Sequence, residues 1–87
     1  MYAIKYSKKA VKDIEKLKSA NLAEKAKSLI NIIAEDPYNP NPPYEKLVGE
    51  LSGKLSRRIN IQHRIVYEVF EVQKCVKIIS MWSHYEF

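Results

Sequence analysis

Residues 51–67 read LSGKLSRRINIQHRIVY, and this stretch decides the fold. Ser52-Gly53 predicts a turn, and the residues that follow alternate between apolar and polar side chains, as half-buried strands do. The pattern predicts two strands, at about 54–60 and 63–71, joined by a short loop. A further run at about 75–84 predicts a third strand, so that the three strands form an antiparallel meander.

Three arginines are concentrated in this hairpin, since Arg57, Arg58 and Arg64 lie within eight positions. A strand normally devotes one face to apolar packing, so fixed cations clustered on a strand need an explanation. Guanidinium groups bind phosphate through parallel hydrogen bonds. The cluster therefore indicates an anionic ligand, for which a phosphate backbone is the natural candidate.

The length of the hairpin loop determines whether two of these arginines share a face. A three-residue loop at 61–63 allows Ile59 to be buried together with Ile65 against the helices. The same loop turns Arg58 and Arg64 together onto the open face, whereas a two-residue turn would separate them. We predict the three-residue loop, and with it a basic open face.

The first third of the chain predicts a strand followed by two helices. Residues 2–6 alternate as a strand does, and Ser7 is placed to cap the first helix. Asn21 followed by Glu24 resembles a capping box that opens the second helix. Eight lysines up to Lys27 are interleaved with Asp13, Glu15 and Glu24, and most of them are interpreted as the solvated faces of the helices. The apolar positions recur at helical spacing: Ala10, Val11, Ile14, Leu17, Leu22, Ala26, Leu29, Ile30 and Ile33.

All four prolines lie in residues 37–43, PYNPNPP, which predict a stiff and extended connector. A chain of 87 residues has room for one hydrophobic core, so we predict a single domain over residues 1–87. The order of the elements predicts an α+β fold. In this fold, the N-terminal strand joins the meander in a mainly antiparallel four-stranded sheet, and a two-helix hairpin packs on one face of it.

The composition is that of a basic globular protein, with 46% hydrophobic residues and a net charge of +5. A positive net charge favours contact with a polyanion such as nucleic acid. The single cysteine, Cys75, is predicted to be a small buried residue, and without a disulfide partner it indicates the reducing cytoplasm. No apolar run predicts a membrane span. His63, Cys75 and His84 lack metal-ligand spacing, so we predict neither metal nor cofactor.

The motif SRRIN-x-x-HR-x-VY at 56–67, preceded by YEKL and followed by SHY at 83–85, resembles the YoeB/Txe branch of the RelE superfamily of bacterial toxins. The resemblance implies a RelE-like fold and the toxin of a type II toxin–antitoxin module. Such a toxin is a ribosome-dependent endoribonuclease, or mRNA interferase, which cleaves mRNA in the ribosomal A site and inhibits translation. The resemblance also implies contacts with ribosomal RNA, neutralisation by a cognate YefM/Axe-like antitoxin, and commonly a homodimer.

Carried over residue by residue, the resemblance implies that Glu45 is the general base and His84 the general acid. It implies that Arg64 clamps the phosphate beside the substrate-binding Arg58, and that Tyr85 is the near-terminal catalytic tyrosine. These residue types suit metal-independent RNA cleavage, because imidazole titrates near neutral pH and guanidinium groups remain charged. The expected product is a 2′,3′-cyclic phosphate.

Some assignments have alternatives. Arg57 directly precedes Arg58 on the predicted strand, so its side chain points to the opposite face. It is interpreted as structural or as a substrate-side contact to the ribosome. Glu50 is the alternative base, because a proline often follows the acidic residue in relatives and Lys46 stands there in this chain. His63 is expected to make local hydrogen bonds in the hairpin turn. The alternative functions are a non-catalytic inhibitor, like the gyrase-poisoning ParE relatives, and an RNA-binding module on the same scaffold.

Overall fold

Two helices cover one face of a five-stranded mixed sheet with the strand order β1-β5-β4-β3-β2. The computed structural model describes residues 1–83, of which Ser83 is described by its backbone alone. No helix in this part of the chain is long and apolar enough to cross a membrane. The elements, in order, are β1 (Ala3–Tyr6), α1 (Lys8–Ser19), α2 (Ala23–Glu35), β2 (Tyr44–Lys46), a 3-10 helix (Gly49–Leu51), β3 (Leu55–Arg58), β4 (Arg64–Phe70) and β5 (Cys75–Ser83).

The α+β prediction is confirmed, and the predicted count of four strands is wrong by one. β1 pairs parallel with β5, while all other pairs are antiparallel. The additional strand is β2, which follows the proline-rich connector and pairs with β3 through Tyr44↔Arg57, Glu45↔Ser56 and Lys46↔Leu55. Three residues are too few to show the alternation by which a strand is recognised in a sequence.

The predicted inward and outward faces of the hairpin are confirmed. Ile59 and Ile65 are buried against the helices, and Arg58 lies directly opposite Arg64. The connecting loop comprises residues 59–63 rather than 61–63: the N–H of His63 donates to Oδ1 of Asn60 instead of to a carbonyl of the facing strand, while the N–H groups of Ile59 and Asn60 both donate to the carbonyl of His63. Both lengths are odd, so either loop brings the two arginines to the same face.

The ends of the helices are capped in ways that the sequence predicted only in part. Ser7 is confirmed as the cap of α1, since its hydroxyl accepts from the N–H of Ala10 at 3.0 Å. Asn21 does not cap α2. It ends α1 instead, with a φ of 61°, and its N–H donates to the carbonyl of Lys18. The N–H of Leu22 donates to the carbonyl of Leu17, which completes a Schellman motif.

The outer edge of β5 is completed by α1 rather than by another strand. β1 ends at Tyr6, opposite Ile78, and β5 then carries two more residues than β4 before Ser83 reaches Arg64. In this irregular stretch, Oδ2 of Asp13 accepts from the N–H groups of Met81 at 2.9 Å and Trp82 at 3.2 Å.

Asp13 is therefore not part of the solvated face that most charged residues of these helices were expected to form. Its side chain is 1% exposed, and it also contacts Nζ of Lys9 at 2.9 Å. A carboxylate in this position satisfies two backbone donors that the sheet leaves without a neighbouring strand, since buried N–H groups are almost always paired. The helical spacing of α1 gave no indication of this role, because the partners lie 68 and 69 residues away.

We predict that Asp13→Ala lowers the free energy of unfolding by at least about 2 kcal/mol, because each buried donor left unpaired costs about 1–3 kcal/mol. Asp13→Asn keeps an acceptor oxygen and should lose less. The measurement is urea denaturation followed by the fluorescence of Trp82, the single tryptophan. Glu15→Ala is the matched control, since Glu15 lies on the same helix and is exposed. Equal stability of the Asp13→Ala and Glu15→Ala proteins would contradict the role of Asp13.

Candidate active site on the open face of the sheet

Register places three of the predicted site residues, Glu45, Arg58 and Arg64, in two neighbouring rows on the face of the sheet away from the helices. Side chains two residues apart on a strand share a face, so the partners across the strands define each row. The first row contains Glu45, Ser56, Val66 and Ser80. The second row contains Arg58 and Arg64, and the backbone of Ser83 completes it.

A cleft of about 290 Å³ lies over these rows, lined by Pro42, Pro43, Glu45, Ser56, Arg58 and Arg64. Nη1 of Arg64 donates to Oε2 of Glu45 at 3.0 Å and to Oγ of Ser56 at 3.4 Å. The side chain of Arg64 is 13% exposed, whereas that of Glu45 is 50% exposed. The carboxylate thus lies at the mouth of the cleft, and the guanidinium that orients it lies deeper.

The charges in this cleft favour an anionic ligand. Two guanidinium groups and one carboxylate line the cavity, and Arg58 is exposed beside it. Glu45 neutralises one of the two cations, so one positive charge remains for the ligand. A phosphate diester carries one negative charge and accepts several hydrogen bonds, which matches this arrangement. The structure therefore brings Glu45, Arg58 and Arg64 together as the sequence predicted.

His84 and Tyr85 lie outside the described residues. The described part of β5 ends at Ser83, which pairs with Arg64. The described backbone of β5 therefore reaches the row that contains Arg58 and Arg64. Just before this point, the ring of Trp82 stacks on that of His63 at 3.8 Å. The placement of the proposed acid in the cleft stays a prediction.

The alternative base and the turn histidine occupy other positions. Glu50 lies in the exposed 3-10 helix and does not line the cleft, which favours Glu45. His63 lies in the hairpin turn as expected, where its backbone accepts from Ile59 and donates to Oδ1 of Asn60. Among residues 1–83, no group of three histidine, cysteine or acidic side chains is arranged to hold a metal ion.

Sequence reasoning did not single out Ser56 or the two prolines of the cleft. Ser56 is 1% exposed and accepts from Arg64, which it faces because it precedes Arg58 by two residues. This parity was available in the sequence. The contribution of Pro42 and Pro43 was not, because it depends on how the connector folds back beside the sheet.

Comparison with known proteins gives the family. A model of the YoeB-like toxins of bacterial type II toxin–antitoxin systems matches residues 6–85. The toxin YoeB of Synechocystis sp. is 40% identical over 65 residues, which cover 75% of this chain and 73% of that protein. The chain belongs to the family of YoeB-like toxins.

Solved structures of Staphylococcus aureus proteins share the fold of this YoeB-like toxin. A chain of the YoeB-YefM complex superposes with a TM-score of 0.81 at 32% identity, over 98% of this chain and 99% of that one. The YoeB dimer gives a TM-score of 0.81 at 31% identity, over 97% and 98% of the two chains. The predicted toxin fold is thereby confirmed.

The position of Arg57 in this YoeB-like toxin corrects the prediction that it contacts the substrate side. Its side chain is 1% exposed and lies on the helix-facing side of the sheet. Nε donates to the hydroxyl of Tyr67 at 2.9 Å, while Nη1 and Nη2 donate to the carbonyls of Pro42 and Pro37. The guanidinium also lies 5.2 Å from the centre of the Tyr44 ring. Arg57 is structural, as the alternative interpretation proposed.

These contacts hold the connector, and hence one wall of the cleft, against the sheet. The hydroxyl of Tyr67 also donates to the carbonyl of Pro37 at 2.8 Å, so both ends of residues 37–42 are attached to buried groups. Burial raises the pKa of Tyr67, and the hydrogen bond from Arg57 lowers it in part. The neutral phenol therefore stays a donor to the connector at physiological pH.

We predict that replacement by lysine lowers the stability of the protein at one of two neighbouring arginines and hardly changes it at the other. Arg57→Lys keeps the charge and loses the planar fork, so buried carbonyls lose donors and the free energy of unfolding falls by at least about 2 kcal/mol. Arg58→Lys, on the exposed face, should change stability by less than about 0.5 kcal/mol. Urea denaturation measures both, with the Arg58 variant as the matched control. Similar stabilities of the two variants would refute the structural assignment of Arg57.

Proposed function

We propose that this YoeB-like toxin is a ribosome-dependent endoribonuclease that cleaves mRNA in the ribosomal A site without a metal ion. The observation that carries the proposal is the contact of 3.0 Å between Glu45 and Arg64 in a cleft that Arg58 also lines. A base and two phosphate-binding groups within one cavity are the components that cleavage by the 2′-hydroxyl requires. A protein that only bound RNA would have no need of the base.

Glu45 takes the proton of the 2′-hydroxyl group in the proposed reaction. The 2′-oxygen then attacks the adjacent phosphorus, a P–O2′ bond forms, and the bond from phosphorus to the 5′-oxygen breaks. Half of the Glu45 side chain is exposed, so the carboxylate can reach a bound nucleotide, and its hydrogen bond from Arg64 fixes its direction. Orientation of this kind lowers the entropic part of the barrier.

Arg64 and Arg58 stabilise the charge that develops on the phosphate. The attack converts a singly charged diester into a dianionic phosphorane, and guanidinium donors placed beforehand stabilise the dianion more than the diester. Arg64 is suited to this role because it is largely buried, and few water molecules compete for its donors. Arg58 is exposed and contributes to binding the substrate.

His84 is the proposed acid, which donates a proton to the departing 5′-oxygen. The products are a 2′,3′-cyclic phosphate and a 5′-hydroxyl group, so each proton taken by Glu45 is matched by one given by His84. The support is the pairing of Ser83 with Arg64, since His84 is the next residue in the chain. Tyr85 is proposed to stack on a base or to donate a hydrogen bond to the phosphate.

The proposed partners are the ribosome, an antitoxin and a second copy of the chain. The S. aureus protein YoeB occurs in a complex with YefM and as a dimer. We extend both to this toxin: a YefM-like antitoxin neutralises it, and it forms a homodimer. Messenger RNA is its substrate on the ribosome, and ribosomal RNA contacts the basic surface. These partners place it in the cytoplasm.

We predict that Arg64→Ala lowers the rate of message cleavage by about 10²–10³-fold, as removal of one transition-state donor does elsewhere. Glu45→Gln and His84→Gln should each lower the rate by about 10²–10⁴-fold. The measurement is cleavage of a defined message in a purified translation system. Wild-type rates for Arg64→Ala would remove it from the site.

The matched control for the base is Glu50→Gln. This variant should cleave at the wild-type rate, because Glu50 lies outside the cleft. Loss of activity in Glu50→Gln together with retention in Glu45→Gln would transfer the role of the base. Inhibition of DNA supercoiling by the wild type, without cleavage of the message, would instead support a ParE-like inhibitor. Salt-sensitive RNA binding without cleavage would support an RNA-binding module.

A further inference from the structure

The open face of the sheet carries a third row, which lies on the side of the Glu45 row away from Arg58 and Arg64. It contains Glu68 on β4, Lys77 on β5 and Lys5 on β1, and Lys54, which directly precedes β3, forms an ion pair with Glu68. Lys77 lies opposite Glu68 on one side and opposite Lys5 on the other. Both Lys5 and Lys77 are exposed. The row thus ends in two adjacent lysines at the β1 edge of the sheet.

The charges on this face do not balance. Five cations (Lys5, Lys54, Arg58, Arg64 and Lys77) share it with two carboxylates, Glu45 and Glu68. Glu45 pairs with Arg64 at 3.0 Å, and Glu68 pairs with Lys54 at 3.8 Å. Within residues 1–83, no salt bridge is formed by the other three cations. The face therefore holds a formal surplus of three positive charges.

Two pairs of like charges lie directly opposite each other on this one face. Arg58 faces Arg64 across β3 and β4, and Lys5 faces Lys77 across β1 and β5. Neighbouring strands are only about 4.8 Å apart, so such pairs repel each other and destabilise the sheet. Local features that oppose stability are expected where a protein binds something. The first pair lines the cleft, and the second has no such assignment.

We propose that Lys5 and Lys77 bind a second phosphate of the RNA, on the same face as the scissile phosphate. This inference rests on the proposed function and adds a subsite to it. Arg64 and Glu68 are four residues apart on β4, so the lysine row lies about 14 Å from the arginine row at ~3.4 Å per residue. The row is thus too remote to touch the scissile phosphate, and it contacts the backbone further along.

The phosphate can belong to the message or to ribosomal RNA, because a lysine ammonium group recognises both in the same way. The flat arrangement of the row favours an extended strand that crosses the open face. Lys54 contributes less than the other two lysines, because its side chain is 26% exposed and paired with Glu68. The contact is electrostatic, so it strengthens binding without discriminating between base sequences.

The test is the salt dependence of binding by the double variant Lys5→Gln/Lys77→Gln. One probe is a single-stranded RNA oligonucleotide with 2′-O-methyl groups, which cannot be cleaved, and the other is purified ribosomes without message. For the oligonucleotide, the slope of log K against log salt should fall in magnitude by about 0.7, since each phosphate of a single strand that the protein neutralises contributes about 0.7. A reduced slope with ribosomes alone would assign the contact to ribosomal RNA.

The matched control is Lys12→Gln/Lys25→Gln, which removes two exposed lysines from the helices. Its slopes should equal those of the wild type. Unchanged slopes for Lys5→Gln/Lys77→Gln with both probes would overturn the inference, and so would equal reductions in the two double variants. Cleavage by the wild type is measured in parallel. If the wild type cleaves the message and Lys5→Gln/Lys77→Gln has the salt slopes of the wild type, only the proposed subsite is wrong. If the wild type does not cleave the message, the proposed function is wrong.

Discussion

The site depends on the hydrogen bonds that the buried guanidinium of Arg57 donates, because they join the proline-rich connector to the sheet. Its donors reach two carbonyls of the connector and the hydroxyl of Tyr67, which in turn donates to Pro37. Ordering a connector costs conformational entropy, and these hydrogen bonds help to offset it and to fix the path of the chain. That path leads directly into β2, which carries Glu45. The direction of the proposed base is thus determined from the interior of the protein.

Asp13 secures the end of β5 as Arg57 secures the connector. The extra residues of β5 turn its backbone out of register with β4, and the carboxylate of Asp13 holds the N–H groups that result. Ser7 assists, since its hydroxyl donates to the carbonyl of Ile79 at 2.6 Å while it caps α1. The cap and the first half of α1 therefore fix the end of β5, the strand that leads to His84. Buried charges of opposite sign thus secure the connector and the end of β5.

Most of the fold was predictable from the sequence because it follows from short-range periodicity. The meander, the helices, the Ser7 cap and the shared face of Arg58 and Arg64 all depend on spacings within one element or one hairpin. The errors concern contacts that are remote in sequence or elements that are too short. β2 has three residues, and Asp13 finds partners at the other end of the chain. Asn21 was predicted to begin α2 and instead ends α1, because asparagine is favoured both at the N-cap of a helix and at the left-handed residue that ends one.

The alternation of side chains between the two faces of a strand, which predicted that Arg58 and Arg64 share a face, also explains why the adjacent Arg57 and Arg58 lie in different environments. On β3, Arg57 points toward the helices and Arg58 toward the cleft, so one pleat of the strand separates a buried structural guanidinium from one proposed to bind substrate. The interior arginine is tolerated because carbonyls and a phenol surround it, and these keep the charge hydrogen-bonded in place of water. The exposed arginine stands opposite another cation and gains a partner when an anion binds. Because the strands hold both arginines of the cleft before any ligand arrives, the proposed stabilisation of a dianionic transition state requires little reorganisation of the protein.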